Sequence, residues 1–172
     1  MKKTEQNLKE GFAGESQARN KYVYYAKVAR EEGHMFIAKI FEETAENEVQ
    51  HAKDQYRKLG MIRDTKANLQ DAIDGEEYEA TVMYVKFAEE AEEEGDKETA
   101  TLFRQIGKVE AHHRDRFQKL LKRLEDGTLY KRDEPIEWRC LKCGFVYKGT
   151  EAPKKCPSCQ HPQGYFEPND IF

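Results

Sequence analysis

The stretch FEETAENEVQH (residues 41–51) has a counterpart 62 residues later, FRQIGKVEAHH (residues 103–113), which repeats its pattern. In each stretch a Phe is followed seven residues on by a Glu, and that Glu is followed three residues on by a His. Residues three, four and seven apart share one face of an α-helix. The repeat therefore predicts two helices that each present a carboxylate and an imidazole on a mainly apolar face.

The same offset extends through the first 125 residues, which contain no proline and are rich in Glu, Lys and Ala. Further matched pairs are Tyr22 with Tyr84, Ala26 with Ala88, Gly33 with Gly95, and Ala38 with Ala100. Composition and glycine positions predict four helices, near residues 5–32, 35–59, 75–94 and 96–125. Short connections at Gly33 and Gly95 indicate two hairpins, joined by a crossover over residues 60–74. This organisation is typical of an all-α, ferritin-like four-helix bundle.

Acidic side chains occupy positions in these helices where a bundle normally buries apolar residues. The seam positions concerned are Glu15 on the first helix, Glu48 and His51 on the second, and Glu110 and His113 on the fourth. On the third helix, Glu76 shares a face with Met83 and Phe87, and Glu79 lies one turn further on. A buried carboxylate persists only when it is paired or bound to metal. One Glu from each of two helices plus Glu-x-x-His from each of the other two is the donor set of a di-iron or di-manganese site.

A structural interpretation competes with the metal site at each of these positions. Most of the 33 acidic residues are expected to be solvated, and one Glu-x-x-His pair alone would indicate little. Two such pairs at equivalent positions on the inner faces of two helices favour a metal site. His34 and His161 are expected in turns or at the surface, and His112 points away from the seam into solvent. Tyr22 and Tyr84 lie on inner faces, where core packing and a hydrogen bond to a ligand carboxylate both remain open.

The composition changes after residue 127, where all five prolines, Trp138 and all four cysteines are found. We predict that the bundle spans residues 1–125, a linker residues 126–137 and a small module residues 138–172. The cysteines form two C-x-x-C pairs, Cys140 with Cys143 and Cys156 with Cys159. Two such loops complete a tetrahedral sulfur shell that selects zinc or iron, and the spacing does not choose between them. A module of this size needs such a metal for stability.

Length and charge exclude several classes of protein. The chain has 172 residues and a formal net charge of −4, which allows one sizeable domain and one small module. It has no apolar run suited to a transmembrane helix or a secretory signal, and its mild acidity argues against nucleic-acid binding. Clustered cysteine pairs in such a chain indicate metal rather than disulfides, and hence a reducing cytoplasm.

The chain resembles the rubrerythrin family over nearly its whole length. The resemblance rests on FAGESQARN (residues 12–20) with Tyr22, on GEEYE (residues 75–79) with Met83-Tyr84, on both Glu-x-x-His pairs, and on a cysteine module similar to rubredoxin. It implies seven di-iron ligands, namely Glu15, Glu48, His51, Glu76, Glu79, Glu110 and His113. It further implies that Glu48 and Glu110 bridge the irons, and that one iron exchanges Glu79 for His51 with redox state.

The repeat and the family pattern differ at one position of the third helix. The offset of 62 residues places Glu77 opposite Glu15, whereas the family pattern favours Glu76 and Glu79. The difference predicts one extra residue in the third helix, accommodated as a π-bulge.

The resemblance also implies an activity. We expect a non-haem di-iron peroxidase that reduces hydrogen peroxide, with Glu79, His51, Tyr22 and Tyr84 at the reaction site and an Fe(Cys)4 iron as electron relay. The donor would be rubredoxin or a separate NAD(P)H-dependent reductase, since the chain has no glycine motif for a nucleotide. A homodimer is implied, in which the module of one subunit serves the di-iron site of the other. The alternatives are a ferritin-like ferroxidase that handles iron, and a structural or interaction protein whose cysteines hold zinc.

Overall fold

The computed structural model describes residues 2–169 and divides into two compact units between Asp64 and Thr65. The first unit contains helices α1 (Lys3–Glu31) and α2 (Met35–Lys58). The second contains α3 (Thr65–Tyr78), a π-helical segment (Glu79–Met83), α4 (Tyr84–Glu93), α5 (Lys97–Glu125) and a sheet of β1 (Lys131–Cys140), β2 (Val146–Glu151) and β3 (Phe166–Pro168). Helical hairpins followed by a small C-terminal module confirm the predicted fold class. Among residues 2–169, no helix combines the length and apolarity that crossing a membrane would require.

Both hairpin turns are built in the same way. Gly33 has a φ of +84°, and the N–H of His34 donates to the carbonyl of Ala29 at 2.7 Å. Gly95 has a φ of +83°, and the N–H of Asp96 donates to the carbonyl of Ala91 at 2.9 Å. Glycine adopts this left-handed conformation at a helix end at little cost. The short connections predicted at both glycines are thereby confirmed.

Small side chains form the contact between the two helices of each hairpin. The buried alanines that repeat at the 62-residue offset are Ala26 with Ala88, Ala29 with Ala91, and Ala38 with Ala100. Aromatic rings pack beside them in matching pairs. The centroids of Tyr22 and Phe41 are 6.0 Å apart in the first hairpin, and those of Tyr84 and Phe103 are 6.0 Å apart in the second. The sequence repeat is therefore a structural repeat of the hairpin interior.

The third helix begins earlier than the sequence predicted. The expected crossover was residues 60–74, but residues 65–74 belong to α3, so that part of the prediction is wrong. Ile73 is buried, and Nζ of Lys66 lies 3.3 Å from a carboxylate oxygen of Glu125 at the end of α5. Gly75, which was interpreted as a helix boundary, lies inside α3. A glycine costs a helix only about 1 kcal/mol, which packing against α5 can offset.

The expected irregularity of the third helix is present. Residues 79–83 are π-helical, between Glu76 and Tyr84. Before this segment Glu76 follows its counterpart Glu15 by 61 residues, and after it Tyr84 follows Tyr22 by 62. The π-helical segment absorbs the additional residue, as the comparison of repeat and family pattern predicted.

The C-terminal sheet has the strand order β2-β1-β3, with both neighbours antiparallel to β1. Trp138 is fully buried beneath it, and its indole N–H donates to the carbonyl of Gly149 at 2.9 Å. Residues 131–137, expected to be linker, lie in β1. Pro135 suggested a break there, but the pairing of β1 with β2 is irregular between Lys131 and Ile136, which accommodates a residue without an N–H.

The two cysteine loops share one backbone pattern. The N–H of Gly144 donates to the carbonyl of Cys140 at 2.8 Å, and the N–H of Gln160 donates to that of Cys156 at 2.9 Å. Gly144 has a φ of +77° and Gln160 a φ of +62°. Each loop thus needs a left-handed residue four positions after its first cysteine, and only the first loop uses glycine.

Replacing Gly144 with Ala should destabilise the module by about 1–2 kcal/mol, the cost of a left-handed residue that carries a Cβ. The added Cβ would meet open space, so no clash contributes. Urea unfolding of the iron-loaded protein, followed by the fluorescence of the single tryptophan, measures the change. The matched variant Gln160→Gly should be as stable as the wild type or more stable. A Gly144→Ala protein with unchanged stability would contradict this account of the loop.

Asp96, at the start of α5, should make the thermal stability of the protein depend on pH. The side chain of Asp96 accepts a hydrogen bond from the N–H of Thr99 at 3.0 Å, and its bonding to Thr99 lowers the pKa of Asp96 below its ordinary 3.8. A lowered pKa in the folded state means that the charged carboxylate stabilises the fold above the ordinary pKa, and that this contribution is lost as the pH falls. The Tm of Asp96→Asn, followed by circular dichroism, should lie below that of the wild type at neutral pH. The difference in Tm should narrow below about pH 4. A Tm difference that is independent of pH would disprove this role of the Asp96 carboxylate.

Candidate metal centres

The first hairpin brings three of the predicted ligands together. Glu15 comes from α1, and Glu48 and His51 come from α2. Nδ1 of His51 lies 2.7 Å from Oε2 of Glu48 and 3.8 Å from Oε1 of Glu15. One donor atom of each residue lies within 4.8 Å of the other two. We call this group the first triad.

The second hairpin repeats the arrangement with Glu76 from α3 and Glu110 and His113 from α5. Nδ1 of His113 lies 2.7 Å from Oε2 of Glu110 and 3.6 Å from Oε1 of Glu76. These donor atoms also lie within 4.8 Å of one another. We call this group the second triad, and its two distances of 2.7 and 3.6 Å are close to the 2.7 and 3.8 Å of the first.

Neither triad is fully enclosed by its own hairpin. The side chains of Glu48 and Glu110 are each 15% exposed, but those of His51 and His113 are 57% and 35% exposed. The sequence predicted these residues on a buried seam. Within the described residues no charged side chain is buried, so that expectation is not met by the single chain.

The acidic groups of the second triad disturb one another electrostatically. Burial raises the pKa of Glu76, the charge of Glu110 raises it further, and His113 lowers it. Burial also raises the pKa of the Tyr84 hydroxyl, together with the charges of Glu79 and Glu110. Two carboxylates beside each other cannot both remain charged at low cost unless a cation joins them. The arrangement of the second triad therefore favours the binding of a cation or a proton.

The structure distinguishes among the three acidic residues of the third helix. Glu77, the position to which the repeat alone points, turns away, and its Oε2 lies 2.5 Å from Nη1 of Arg114. Glu79 belongs to the π-helical segment and is not among the donor atoms that converge on His113. Arg114 was not identified from the sequence, because its partner lies 37 residues away and no motif links them.

The other residues considered in the sequence analysis are two tyrosines and three histidines. Tyr22 and Tyr84 pack against neighbouring aromatic rings on the inner side of their hairpins. His34 and His112 are exposed. His161 is half-buried, with Nδ1 3.1 Å from the carbonyl oxygen of Cys159.

The four cysteines converge at one end of the small sheet. Sγ of Cys140 lies 3.7 Å from that of Cys159, and Sγ of Cys143 lies 3.7 Å from that of Cys156. All four sulfurs lie within 4.8 Å of one another, and all four residues are free thiols. A hydrogen bond from the backbone of Phe145 is the main cause that lowers the pKa of Cys143 to about 7.

The donor chemistry fits the implied metals. A tetrahedron with metal–sulfur bonds of about 2.3 Å has edges of about 3.8 Å, close to the observed sulfur separations of 3.7 Å. Two carboxylates and one imidazole in each triad are ligands that suit iron and manganese. Both kinds of site can therefore accept the metals without a change of donor atoms.

Comparison with known proteins agrees with this geometry. The sequence model of the rubrerythrin family matches residues 6–121, and that of the rubredoxin-like domain of rubrerythrin matches residues 138–167. The chain is 48% identical to a putative rubrerythrin of Methanocaldococcus jannaschii, over 97% of this chain and 93% of the relative. It is 49% identical to rubrerythrin of Porphyromonas gingivalis, over 96% and 90% of the two chains, and 46% identical to that of Clostridium perfringens, over 96% and 93%.

These matches establish the cofactors. The helical part corresponds to a domain with a non-haem di-iron centre, and the module corresponds to a domain with a mononuclear Fe(Cys)4 iron. The relatives indicate an oxidoreductase with partners in electron transfer. The resemblance predicted from the sequence motifs is confirmed, and the chain belongs to the rubrerythrin family.

Proposed function

We propose that the protein is a peroxidase that reduces hydrogen peroxide to water at its di-iron centre. The observation that carries the proposal is the presence, on one chain, of two Glu-Glu-His triads and a tetracysteine site. Oxidation and storage of iron would need only the triads. A cysteine-ligated iron adds a one-electron carrier, because its coordination barely changes with redox state. Repeated reduction of a substrate is the activity that uses both the triads and the cysteine-ligated iron.

Seven side chains would hold the two irons. They are the members of both triads together with Glu79, that is Glu15, Glu48, His51, Glu76, Glu79, Glu110 and His113. The convergence of six of them in two matching groups supports this assignment. Glu79 stands apart in the π-helical segment, where backbone hydrogen bonding departs from the regular α-helix. Its position supports the role that the family implies for it, a ligand that alternates with His51.

When bound, the iron pair supplies the two electrons that cleave the O–O bond, so that hydrogen peroxide, two protons and two electrons give two molecules of water. The glutamates contribute negative charge that favours the oxidised metal. The hydroxyls of Tyr22 and Tyr84 are proposed to orient ligand carboxylates by hydrogen bonds. Burial, together with the charges of Glu79 and Glu110, raises the pKa of the Tyr84 hydroxyl, which favours the protonated form that such a hydrogen bond needs.

The tetracysteine centre would return electrons to the oxidised site one at a time. Cys140, Cys143, Cys156 and Cys159 hold its iron, and Cys143 is exposed at the surface, where a donor can approach. We infer that the donor is rubredoxin or a separate NAD(P)H-dependent reductase. We also infer a homodimer and a cytoplasmic location, where free thiols of this kind persist.

The assignment of Glu76 predicts a contrast with its neighbour. Glu76→Gln should lower the iron content towards that of the tetracysteine site alone, because the second triad loses an anionic ligand. Glu77→Gln should keep the iron content of the wild type, since Glu77 pairs with Arg114 at the surface. Metal analysis of both proteins after anaerobic reconstitution gives the result. Equal iron loss in the two variants would contradict the assignment.

The activity itself is tested by mixing the anaerobically reduced protein with hydrogen peroxide in a stopped-flow spectrometer. The ferric iron–thiolate absorbance should return rapidly as peroxide is consumed, and turnover should continue with a reductase and NAD(P)H. A protein with zinc in the cysteine site is the matched control, because zinc is redox-inert. It should still consume peroxide once but lose steady-state turnover. A protein that leaves peroxide intact in this experiment, but oxidises added ferrous iron with dioxygen in a separate aerobic assay, would instead favour the ferroxidase.

A further inference from the structure

Residues 126–130 join helix α5 to the C-terminal sheet, and α5 fixes the first part of this connection. Gly127 has a φ of +66°, and the N–H of Thr128 donates to the carbonyl of Arg123 at 2.8 Å. A left-handed glycine followed by this hydrogen bond is the Schellman motif, which ends many helices. The position of Thr128 is therefore set by α5.

The second part of the connection belongs to the sheet. The N–H of Ala152, just after β2, donates to the carbonyl of Tyr130 at 3.0 Å, and Tyr130 packs against the buried core of the module. A Cβ added to Gly164 would lie 3.7 Å from the Tyr130 hydroxyl oxygen, so this side chain also reaches the segment before β3. One residue, Leu129, separates the residue set by α5 from the residue set by the sheet.

Arg132 bridges these two parts. Its guanidinium carbon lies 5.1 Å from the ring centroid of Trp138, which is fully buried. Its Nη1 donates to the carbonyl of Thr128 at 3.2 Å and to that of Lys131 at 2.6 Å. A guanidinium offers a flat face to an aromatic ring and several N–H donors at its edge, which a lysine ammonium does not. One half-buried side chain thus connects the end of α5 with the centre of the module.

Trp138 connects this contact with the cysteine site. It precedes Cys140 in β1 and shares the buried core with Cys140 and Cys156. Its indole N–H donates to the carbonyl of Gly149 at 2.9 Å, which fixes the ring within the sheet. Any rotation of the module about residues 126–130 would therefore separate the Trp138 ring from Arg132, and would move the four sulfurs relative to α5.

The orientation of the module matters for the proposed electron relay, because the rate of electron transfer falls exponentially with the distance between two centres. Helix α5 carries Glu110 and His113, two of the proposed ligands of the di-iron centre. A module on a mobile connection would reorient within nanoseconds to microseconds. It would then spend part of its time with the cysteine-bound iron far from the di-iron centre.

We propose that Arg132 is a positioning residue that holds the module in one orientation relative to α5, and thereby sets the rate at which an electron leaves the cysteine-bound iron for the di-iron centre. We call the contacts of Arg132 with Thr128 and Trp138 the clamp. In the transfer step the cysteine-bound iron is oxidised from ferrous to ferric, and one ferric ion of the oxidised pair is reduced to ferrous. The effect on the rate rests on the relay proposed above, whereas the clamp itself does not.

The fluorescence anisotropy decay of Trp138 tests the clamp without reference to activity. Trp138 is the single tryptophan, and zinc in the cysteine site replaces the iron–thiolate chromophore that would quench its emission. In the zinc-loaded wild type, Trp138 should rotate with the whole protein and give one slow decay. Arg132→Ala should add a nanosecond component, because the module then moves on its connection. One slow decay in Arg132→Ala would overturn the clamp.

Arg139→Ala is the matched control for this measurement. Arg139 also lies in β1, but its Nε donates to Oε1 of Glu167 in β3 at 2.9 Å, so this ion pair lies within the sheet. Arg139→Ala should therefore keep the single slow decay, and a nanosecond component equal to that of Arg132→Ala would overturn the specific role of Arg132. Arg132→Lys keeps the charge but lacks the flat face. It should show the nanosecond component even if Arg132→Ala fails to fold.

The effect on the rate is measured by mixing the fully reduced, iron-loaded proteins with hydrogen peroxide. The ferric iron–thiolate absorbance of the cysteine site should return several-fold more slowly in Arg132→Ala and Arg132→Lys than in the wild type and Arg139→Ala. The iron content of all four proteins should be the same. An unchanged rate in both Arg132 variants would overturn the positioning role.

A redox titration of the cysteine site separates distance from driving force. Removing the positive charge of Arg132 favours the less negative ferric site, so Arg132→Ala should leave the reduction potential unchanged or lower it. A lower potential makes the site a better electron donor, so loss of charge alone would speed the return of the absorbance. A slower return together with a raised potential would overturn the positioning role. Wild-type protein that leaves peroxide intact would overturn the peroxidase function, and the anisotropy decay would still decide the clamp.

Discussion

The grouping of two carboxylates with one imidazole in each hairpin is the constraint on which the rest of the structure depends. Their donor atoms lie within 4.8 Å of one another, on the face that carries the aromatic contacts of the hairpin. Placing like charges so close costs folding free energy, and a bound cation removes that cost. The triads therefore stabilise the fold only when this charge is neutralised, and the proposed function depends on a metal ion doing so.

Duplication explains why the two triads are nearly alike. Buried alanines and glycine turns follow one offset, so each triad lies at an equivalent place within its own hairpin. The one departure is the third helix. Without the residue absorbed by the π-helical segment, Glu76 would lie about 100° away from its present direction relative to Tyr84. A local irregularity of five residues thus brings Glu76 beside Glu110 and His113 and places Glu79 in non-α-helical backbone.

Patterns repeated within the chain predicted most of the fold, and isolated signals did not. The hairpins, the π-helical irregularity and the cysteine loops were each predicted from two or more residue patterns that recur at a fixed spacing. The start of α3 was not predicted because Gly75 resembles a helix end. Helix α3 packs against α5, and the pairing of Lys66 with Glu125 joins residues too far apart in the sequence to give a local signal. The first half of β1 was not predicted either, because Pro135 suggested a linker. The strand accommodates this proline where its pairing with β2 is irregular.

The same distinction applies to the metal centres. Spacing identified five of the six members of the triads and all four cysteines, because residues three apart on a helix are neighbours by geometry. It could not separate Glu76 from Glu77, which differ by one residue and are distinguished by the pairing of Glu77 with the distant Arg114. Nor could it give the exposure of the triads, which depends on what covers each hairpin. Tertiary contacts over long sequence separations decide both points.

We propose that the two triads jointly hold a pair of irons rather than two separate ions. Mössbauer spectroscopy of the oxidised protein, reconstituted anaerobically with isotopically enriched iron, distinguishes the two arrangements. Carboxylates that bridge two ferric ions couple their spins, so we predict a diamagnetic iron pair beside one magnetically isolated iron in the tetracysteine site. Spectra in which every iron is magnetically isolated would contradict the account.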